Sequence, residues 1–600
     1  MDGVETGIKT KLKAARHHLR HESLILPVAA AVLATACLVS PVGEFPLNDD
    51  WTNAKAIQWT LEQGRYVGHP FPRATLVAHV LYGAAFAAVF GFSFTILRIS
   101  SLILAVVTLW AVARTARECG LSRRAALLCA AILWCNPIFL NLSYTFMSET
   151  SFWAATALSL LFFVRALNRN RAADVFLGAA FSVVALFVRH FGVLSSAAFA
   201  LIAVAAWIPK RRRPDWAAVA AFLAPWAAAV PLLLWWTTSV EGHPNITSVS
   251  VAGVWNVVRG MPGAVEYAFI VVFYLGLFLM PAACGLVCAV LMRRKRWTLA
   301  HRLGFVAFAI VACLYIRTIP GWRVPPLPNV LRNLGTGPLT LQDTTIMARN
   351  WTPVRIGPVT LGAVMAMAIV SASALFVSLW MRMPPMRRHD KAPEGAAADA
   401  ERLPPAPAWF LLVSAVLFFA SAYNPWLPYV YDRYLLTGLM PALVLCMAGL
   451  SVSRGRAVAA AVLAPCLLYF AFSACCVQDY LAWNRARWTA IDKLLHEHGA
   501  SPFEIDGGYE YNGMYTSDEF MRRNGTRSFL ERGPLGWWVL DDTYAVSFLP
   551  RPGYRELGRV EYFSPIGMER RAILMLRRDG EAPDPANNAL QDKGIRMLLP

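Results

Sequence analysis

Long apolar runs recur along this chain from residue 24 to residue 475, and no other feature restricts its fold as strongly. Many of these runs approach the ~20 residues that an α-helix needs to cross a bilayer. Only 16% of the residues are charged, whereas a soluble protein carries about 25%. The pattern therefore predicts an all-α polytopic membrane protein.

The positions of the basic residues predict how the chain crosses the membrane. A formal net charge of +19 would suit a nucleic-acid partner. However, most Lys and Arg lie in short clusters between apolar runs, which is typical of cytoplasmic loops, so we expect no nucleic acid. With the clusters inside, the N-terminal segment 1–23 is cytoplasmic and about thirteen spans follow. The predicted spans are 24–40, 99–117, 125–140, 150–167, 173–189, 191–208, 216–236, 264–291, 302–319, 358–380, 408–423, 435–451 and 457–475.

Residues 41–98 form the first predicted outer loop. The apolar run 74–97 within it would reverse the side of every later basic cluster if it crossed the membrane, so we predict a juxtamembrane helix. The first apolar run has an alternative interpretation as a cleaved signal peptide, because Ala34-Thr35-Ala36 resembles a cleavage site. The long segment before that run disfavours cleavage. The Pro- and Ala-rich segment 383–407 predicts a cytoplasmic linker.

The composition changes to polar near residue 477. We predict that residues 477–600 form a small soluble α/β domain outside the membrane, with a helix over 484–498 and strands over 537–544 and 571–576. Its Trp, Tyr and Asp residues are types that bind sugars, so we expect this tail to select an acceptor. A solvated cap over the last loops is the alternative. The eleven cysteines lie mostly in apolar runs without a CxxC pair, which predicts neither a disulfide framework nor a zinc site.

Ionisable residues gather in the predicted outer loops. Such residues close to a bilayer are candidates for function. Acids that activate an acceptor, cations that hold a departing phosphate, and aromatic rings that stack on sugars would together suit group transfer from a phosphate. Singly, the cations could snorkel, the tyrosines could form an interfacial belt and an acid could cap a helix. The candidates are Asp49, Asp50, Trp51, Arg73, Glu149, Arg189, His190, Tyr431, Arg433 and Tyr434.

The order of short motifs resembles the GT-C glycosyltransferase superfamily, in particular its protein mannosyltransferase-like and aminoarabinose transferase-like branch. The resemblance covers about residues 24–475. Glu149 departs from that branch, which usually has an aspartate in the second acidic motif. The motifs are the acid pair Asp49-Asp50, then Gly64, Pro70 and Pro72, Phe90-Gly91-Phe92-Ser93, Arg98-Ile-Ser-Ser, Asn136-Pro137, Met147-Ser148-Glu149, and Tyr431-Asp-Arg433-Tyr434-Leu435-Leu436 with Pro441.

The resemblance implies a GT-C-like multi-pass enzyme of the plasma membrane, in bacteria the inner membrane, with its active site outside. It implies transfer of a sugar, normally with inversion, from a polyprenyl-phosphate donor to a glycolipid, a glycan or a protein. Asp49, Asp50 and Glu149 would be the catalytic acids. Arg73, Arg189, His190, Arg433 and Tyr434 would bind the donor phosphate, and Tyr431 and Trp51 would contact acceptor or sugar.

The resemblance leaves metal dependence open, because some GT-C members use a divalent ion and others do not. If an Mg²⁺ or Mn²⁺ ion takes part, Asp49 and Glu149 would be its ligands. Two other classes remain as alternatives. A transporter or flippase of lipid-linked sugars would favour ionisable groups in the middle of spans, and here they lie at the ends. A structural membrane protein with a partner-binding tail would leave the outer acids and bases unexplained.

Overall fold

The protein is described by a computed structural model. The described residues are 23–72, 74–207, 215–239, 261–292, 299–318, 329–332, 335–345, 358–380, 404–423, 431–448, 455–524 and 536–580. Most of the linker predicted at 383–407 lies outside these ranges, as does Arg73.

Helices, most of them apolar, make up the described part of the chain up to residue 318. In order they are α1 (Ile25–Leu38), α2 (Asp50–Gln63), α3 (Val77–Phe90), α4 (Phe94–Glu118), α5 (Arg123–Trp134), α6 (Pro137–Ser143), α7 (Ser148–Arg169), α8 (Ala172–Leu186), α9 (Val193–Trp207), α10 (Trp216–Ser239), α11 (Met261–Phe278), α12 (Met280–Met292) and α13 (Leu299–Thr318). Of these, α2 is polar and belongs to the first loop rather than to the membrane.

The remaining described elements are helices and the strands of two sheets, of which β1 and β2 form the first. They are β1 (Leu331–Arg332), β2 (Gly335–Thr336), α14 (Gln342–Thr345), α15 (Pro358–Trp380), α16 (Pro405–Ala422), α17 (Leu435–Met447), α18 (Arg456–His496), β3 (Ile505–Asp506), α19 (Tyr509–Tyr515), α20 (Ser517–Asn524), β4 (Tyr544–Ser547), β5 (Tyr554–Ser564) and β6 (Glu569–Arg578). Single 3-10 turns precede α9, α17 and β3.

Five helices among the described residues are long and apolar enough to cross a membrane, or up to seven if each of two bent helix pairs counts as one span. The protein is therefore a mainly helical, multi-pass membrane protein. The predicted count of about thirteen spans is not confirmed, because several predicted spans correspond to shorter apolar helices such as α1 and α8. The predicted span 125–140 is a pair, α5 and α6, bent by 73°. The bend follows from Pro137, which cannot continue a helix, and from the Asn136 side chain, which caps the new one.

The predicted juxtamembrane helix 74–97 is divided in the structure. Helix α3 ends at Phe90, Gly91 has a φ of +84°, and α4 begins at Phe94. The Ser93 hydroxyl accepts from the amides of Thr95 and Ile96, so this side chain starts the new helix. The carboxylate of Glu44 accepts from the same turn, and it fastens the first loop to the start of α4.

The tail contains a four-stranded sheet of order β3-β4-β6-β5. Strand β3 is parallel to β4, and the other neighbours are antiparallel. The strand predicted at 571–576 lies inside β6, whereas residues 537–543 precede β4 and are not a strand. The helix predicted at 484–498 is the end of α18, which runs without interruption for 41 residues through the predicted boundary at 477.

Candidate active site

The first loop places the two adjacent aspartates in different environments. Asp49 immediately precedes α2 and keeps 31% of its side-chain surface exposed. Asp50 is the first residue of α2, is 1% exposed, and accepts a hydrogen bond from the Leu47 amide at 3.4 Å. Burial raises the pKa of Asp50 to about 8, although the charge of Arg98 and the Phe146 amide oppose the shift. Asp49 is therefore the acid that is available for chemistry.

Four charged side chains from distant parts of the chain form a continuous charge cluster. The Arg433 guanidinium lies between two acids, with Nη2 3.5 Å from Asp49 Oδ2 and Nε 3.0 Å from Glu149 Oε1. Arg189 Nη2 donates to Glu149 Oε1 at 2.7 Å. The two arginines and Glu149 together carry one net positive charge, which Asp49 borders.

Helix ends position every member of this charge cluster. Glu149 lies in the first turn of α7, where the helix dipole favours a negative charge. Arg189 follows α8 and also donates to the Ser148 hydroxyl, at 3.1 Å from Nε and 2.8 Å from Nη2. Arg433 lies in the turn before α17. Asp49 precedes α2, so all four charged residues lie at or next to helix ends that their contacts bring together.

Asp432 fixes the turn that carries Arg433. Its carboxylate accepts from the amides of Val330, at 3.2 Å, and Leu331, at 2.6 Å. It also accepts from the Arg433 amide at 2.7 Å. Burial raises the pKa of Asp432 to about 7, and these three amides counteract the shift. The short strand β1 is thereby held against the turn that presents the guanidinium.

Aromatic rings pack against both guanidinium groups. The Arg433 carbon Cζ lies 4.9 Å from the Tyr431 ring centroid and 5.6 Å from that of Tyr434. The Cζ of Arg189 lies 5.4 Å from the Tyr434 centroid. Such contacts attract a cation and restrict its rotamers. The two tyrosines therefore orient the cations, and Tyr434 touches both.

A cleft opens beside the charge cluster. Its polar wall faces a wall of rings and apolar side chains. At the polar wall, Glu149 Oε2 and Arg433 Nη1 are buried and have no hydrogen-bond partner among the described residues. The arrangement can hold an anion next to an apolar chain. The lining residues are Glu149, Phe152, Trp153, Arg189, Phe191, Phe418, Ser421, Ala422, Arg433, Tyr434 and Thr437.

The tail contributes a residue that contacts the predicted catalytic acid directly. The Tyr509 hydroxyl donates to Asp49 Oδ1 at 2.7 Å, across 460 positions of sequence. Gly508 precedes it with a φ of +86°, and a Cβ there would lie 2.8 Å from the Thr340 carbonyl oxygen. Only glycine allows this approach of the start of α19 to the Thr340 backbone. Nothing in the sequence paired these two segments, although the Gly507-Gly508 turn marked an unusual backbone.

A fully buried ion pair lies behind Tyr509. Arg487 Nη1 donates to Glu510 Oε2 at 2.7 Å, and both side chains are 0% exposed. The other oxygen, Glu510 Oε1, accepts from the Asn48 amide and from the Thr340 hydroxyl, each at 2.9 Å. Asn48 adopts a left-handed conformation with a φ of +55°. Glu510 therefore anchors the backbone immediately before Asp49.

Two other predicted residues lie in settings that differ from those expected of a ligand site. Trp51 is fully buried in an aromatic cluster, with its ring centroid 5.0 Å from that of Trp538 and 6.1 Å from that of Tyr509. This ring joins the first loop to the tail instead of presenting a face to a sugar. His190 is exposed and packs on Phe191, with the ring centroids 4.1 Å apart.

The described residues contain no group of three or more His, Cys, Asp or Glu side chains suited to a metal ion. Asp49 and Glu149, the expected ligands, both contact the Arg433 guanidinium. That group occupies the position between the two acids that a bridging cation would need. The present arrangement does not fit a divalent ion, and we assign no step to one.

The geometry can be compared with known proteins. Residues 76–236 match the family described as dolichyl-phosphate-mannose-protein mannosyltransferase. The resemblance to GT-C glycosyltransferases is confirmed. The match also confirms that the chain is a glycosyltransferase. It covers well under half of the chain and includes Glu149, Arg189 and His190, whereas Asp49 and Arg433 lie outside it. No curated protein matches the chain.

Solved structures give long but loose alignments. ArnT from Cupriavidus metallidurans bound to undecaprenyl phosphate is 13% identical with a TM-score of 0.38, over 92% of this chain and 97% of that one. Its apo state is 12% identical with a TM-score of 0.36, over 91% and 97%. Arabinosyltransferase EmbB from Mycobacterium smegmatis is 13% identical with a TM-score of 0.33, over 76% and 41%. These scores are too low to carry over details of a site.

Proposed function

We propose that this glycosyltransferase moves a sugar from a polyprenyl-phosphate donor to an extracytoplasmic acceptor. The observation that carries the proposal is the charge cluster at the edge of an aromatic cleft. The guanidinium groups of Arg189 and Arg433 both contact Glu149 Oε1, and the negative charge of Glu149 offsets the repulsion between them. A phosphate with a long apolar chain fits such a junction, because the head needs cations and the chain needs apolar walls.

The charge of the site favours the departing phosphate over the bound donor. A sugar phosphodiester carries one negative charge, and the lipid phosphate released from it carries more. The guanidinium groups of Arg189 and Arg433 therefore attract the leaving group more strongly as the bond breaks, and the cluster gains one net positive charge when Asp49 accepts the proton of the acceptor. The spare donor Arg433 Nη1 would be available to that phosphate, and it has no protein partner among the described residues.

Asp49 is the proposed general base. It is the more exposed of the two aspartates, and Tyr509 and Arg433 fix its two oxygens. In the reaction, Asp49 accepts the proton of the acceptor hydroxyl or amine as that group bonds to the anomeric carbon. The bond between this carbon and the phosphate oxygen breaks, and the electron pair leaves with the lipid phosphate. One displacement from the face opposite the phosphate inverts the anomeric centre.

The acceptor class is a glycolipid, a glycan or a protein, and the enzyme would act at the periplasmic face of a bacterial inner membrane. The test is deletion of the gene followed by mass spectrometry of envelope glycolipids and glycans. We expect one sugar to be missing, to return with the wild-type gene, and to stay missing with Asp49→Asn. A missing sugar together with lipid-linked donor accumulated on the cytoplasmic side would favour a flippase, whereas a complete glycan profile in the deletion strain would refute the proposal.

A further inference from the structure

The long helix α18 marks where the bilayer surface crosses the protein. In its first half, Leu463, Leu467 and Leu468 are exposed, as expected for side chains that face lipid. From Gln478 onward the helix carries buried polar residues, beginning with Asp479, that contact the rest of the protein. The bilayer surface on the side of the tail therefore lies close to residues 477 and 478.

The turn between β5 and β6 is fastened at this level. The Ser564 hydroxyl donates to Asp479 Oδ1, and the Gly567 amide donates to Ser564 Oγ at 3.3 Å. Away from the turn, Leu574 of β6 pairs with Ser547. The next residue, Phe548, contacts Trp483 with ring centroids 5.3 Å apart. The hairpin of β5 and β6 therefore lies alongside α18, and its turn is the end nearest to the apolar first half of that helix.

The turn exposes apolar side chains where an aqueous hairpin would be polar. Met568 is 80% exposed and Phe563 is 54% exposed. Met568 also adopts a φ of +52°, a conformation that glycine or asparagine would reach at lower cost. The Arg570 guanidinium beside them is 83% exposed, and its nearest acid, Glu561, is 3.8 Å away and exposed as well. Such an ion pair contributes little, so Arg570 remains available to a phosphate.

We propose that this turn, residues 563–570, inserts into the lipid bilayer. Phe563 and Met568 enter the boundary between head groups and acyl chains, and Arg570 contacts a lipid phosphate. Three observations carry the inference: the hydrogen bond to Asp479 at the bilayer level, the paired exposed apolar side chains, and the basic group next to them. An apolar surface rimmed by a cation is the usual form of an interfacial anchor. The inference depends on the membrane span α18 and not on the donor or the reaction.

The first test places a fluorescent amino acid at position 568 of the full-length protein in nanodiscs. Lipids brominated on their acyl chains quench a fluorophore only on close approach. The matched control is position 555, since Arg555 is exposed at the opposite end of the same hairpin. We expect quenching at 568 to exceed that at 555 several-fold. Equal quenching at the two positions would overturn the proposal.

The second test uses the unmodified protein in the same nanodiscs, so it does not depend on the labelled variant folding. Hydroxyl radicals should oxidise Met568 far more slowly than they would oxidise a methionine with 80% of its surface in contact with water. Tyr515, which is 51% exposed on α19, serves as the internal reference and should react normally. Oxidation of Met568 at the rate of a solvated methionine would refute insertion. Protection without quenching by brominated lipid would indicate a protein partner instead, and it too would refute insertion.

Discussion

Replacing Glu510 by Gln tests whether the buried ion pair supports Asp49, the proposed general base. Gln keeps the shape of the side chain and one oxygen for the Asn48 amide and the Thr340 hydroxyl. Its amide group, however, would face Arg487 Nη1, which is itself a donor. The arginine would then be a buried charge without its counterion. Removing one partner of such a pair costs about 3–5 kcal/mol, and we expect a loss near the lower limit because Arg487 Nε keeps its bond to the Gly507 carbonyl.

Heat unfolding can be followed with a thiol-reactive dye, because the thiols of Cys129 and Cys466 are buried in the folded protein. The unfolding temperature of Glu510→Gln should fall clearly below that of the wild type. The matched control is Glu519→Gln in the same tail, which breaks the pairs with Arg522 and Arg523 at the surface. Exposed ion pairs contribute little, so this variant should unfold like the wild type.

The double variant Glu510→Gln with Arg487→Met separates the charge effect from other damage. It removes the uncompensated charge and retains the acceptor for Asn48, so it should recover part of the lost stability. Turnover measured on folded protein should still fall in the single variant, because the backbone next to Asp49 loses its anchor. If Glu510→Gln unfolds and turns over like the wild type, the ion pair has no role in holding the first loop.

The remaining predictions concern the first loop and the charge cluster. Asp49→Asn should lower turnover at least ~10²-fold because the base is lost, whereas Asp50→Asn should transfer sugar normally, as measured with purified enzyme. Because the folded pKa of Asp50 is about 8 and its ordinary value is 3.8, the folded state binds the extra proton between these values. Thermal stability of the wild type should therefore fall relative to Asp50→Asn as the pH rises through that interval. Arg433→Lys keeps the charge but loses the planar fork, so donor affinity should drop in a binding assay. Tyr509→Phe should lower turnover of folded enzyme several-fold, because Asp49 Oδ1 loses the hydroxyl that positions it.

Each of these outcomes has a contrary result that would change an assignment. Equal activity of Asp49→Asn and the wild type would remove Asp49 as the base. A parallel pH dependence of stability in Asp50→Asn and the wild type would mean that Asp50 is not a buried neutral acid. Unchanged donor affinity in Arg433→Lys would return that arginine to an interfacial role. Unchanged turnover of Tyr509→Phe would mean that this hydroxyl does not position the base.

The residues of the charge cluster were easier to predict from the sequence than the number of membrane spans. Glu149, Arg189 and Arg433 were recognisable because charged residues at the ends of apolar runs are costly without a purpose. The structure brings all three together with Asp49. The number of spans was harder to predict, because a hydropathy pattern does not show where a helix bends. The predicted span 125–140, for example, bends at Pro137. The assignment of Arg73 stays a prediction, since that residue lies outside the described ranges.

Adjacent aspartates could not be distinguished without the fold. One residue of α-helix turns a side chain by about 100°, so Asp49 and Asp50 diverge as soon as α2 begins. Trp51 was predicted to contact acceptor or sugar. Its burial against Trp538 could not be predicted, because it depends on a contact with a residue far along the chain. Tyr509 and Glu510 belong to the tail that was expected to select an acceptor, and their contacts with Asp49 and Asn48 add a direct link to the proposed base. Pairings of this kind leave no local signal in the sequence.

Because α18 is unbroken, the number of residues in it sets the distance between the bilayer and the tail. Its 41 residues extend for roughly 60 Å, about twice the thickness of the hydrocarbon core. One residue inserted after Gln478 would rotate Arg487 by about 100° about the helix axis and raise it by ~1.5 Å. Four inserted residues would nearly restore its angle while lifting it by ~6 Å. An insertion or deletion in this stretch therefore changes both the rotation of the tail about the helix axis and its distance from the bilayer. Exchanging one side chain for another changes neither.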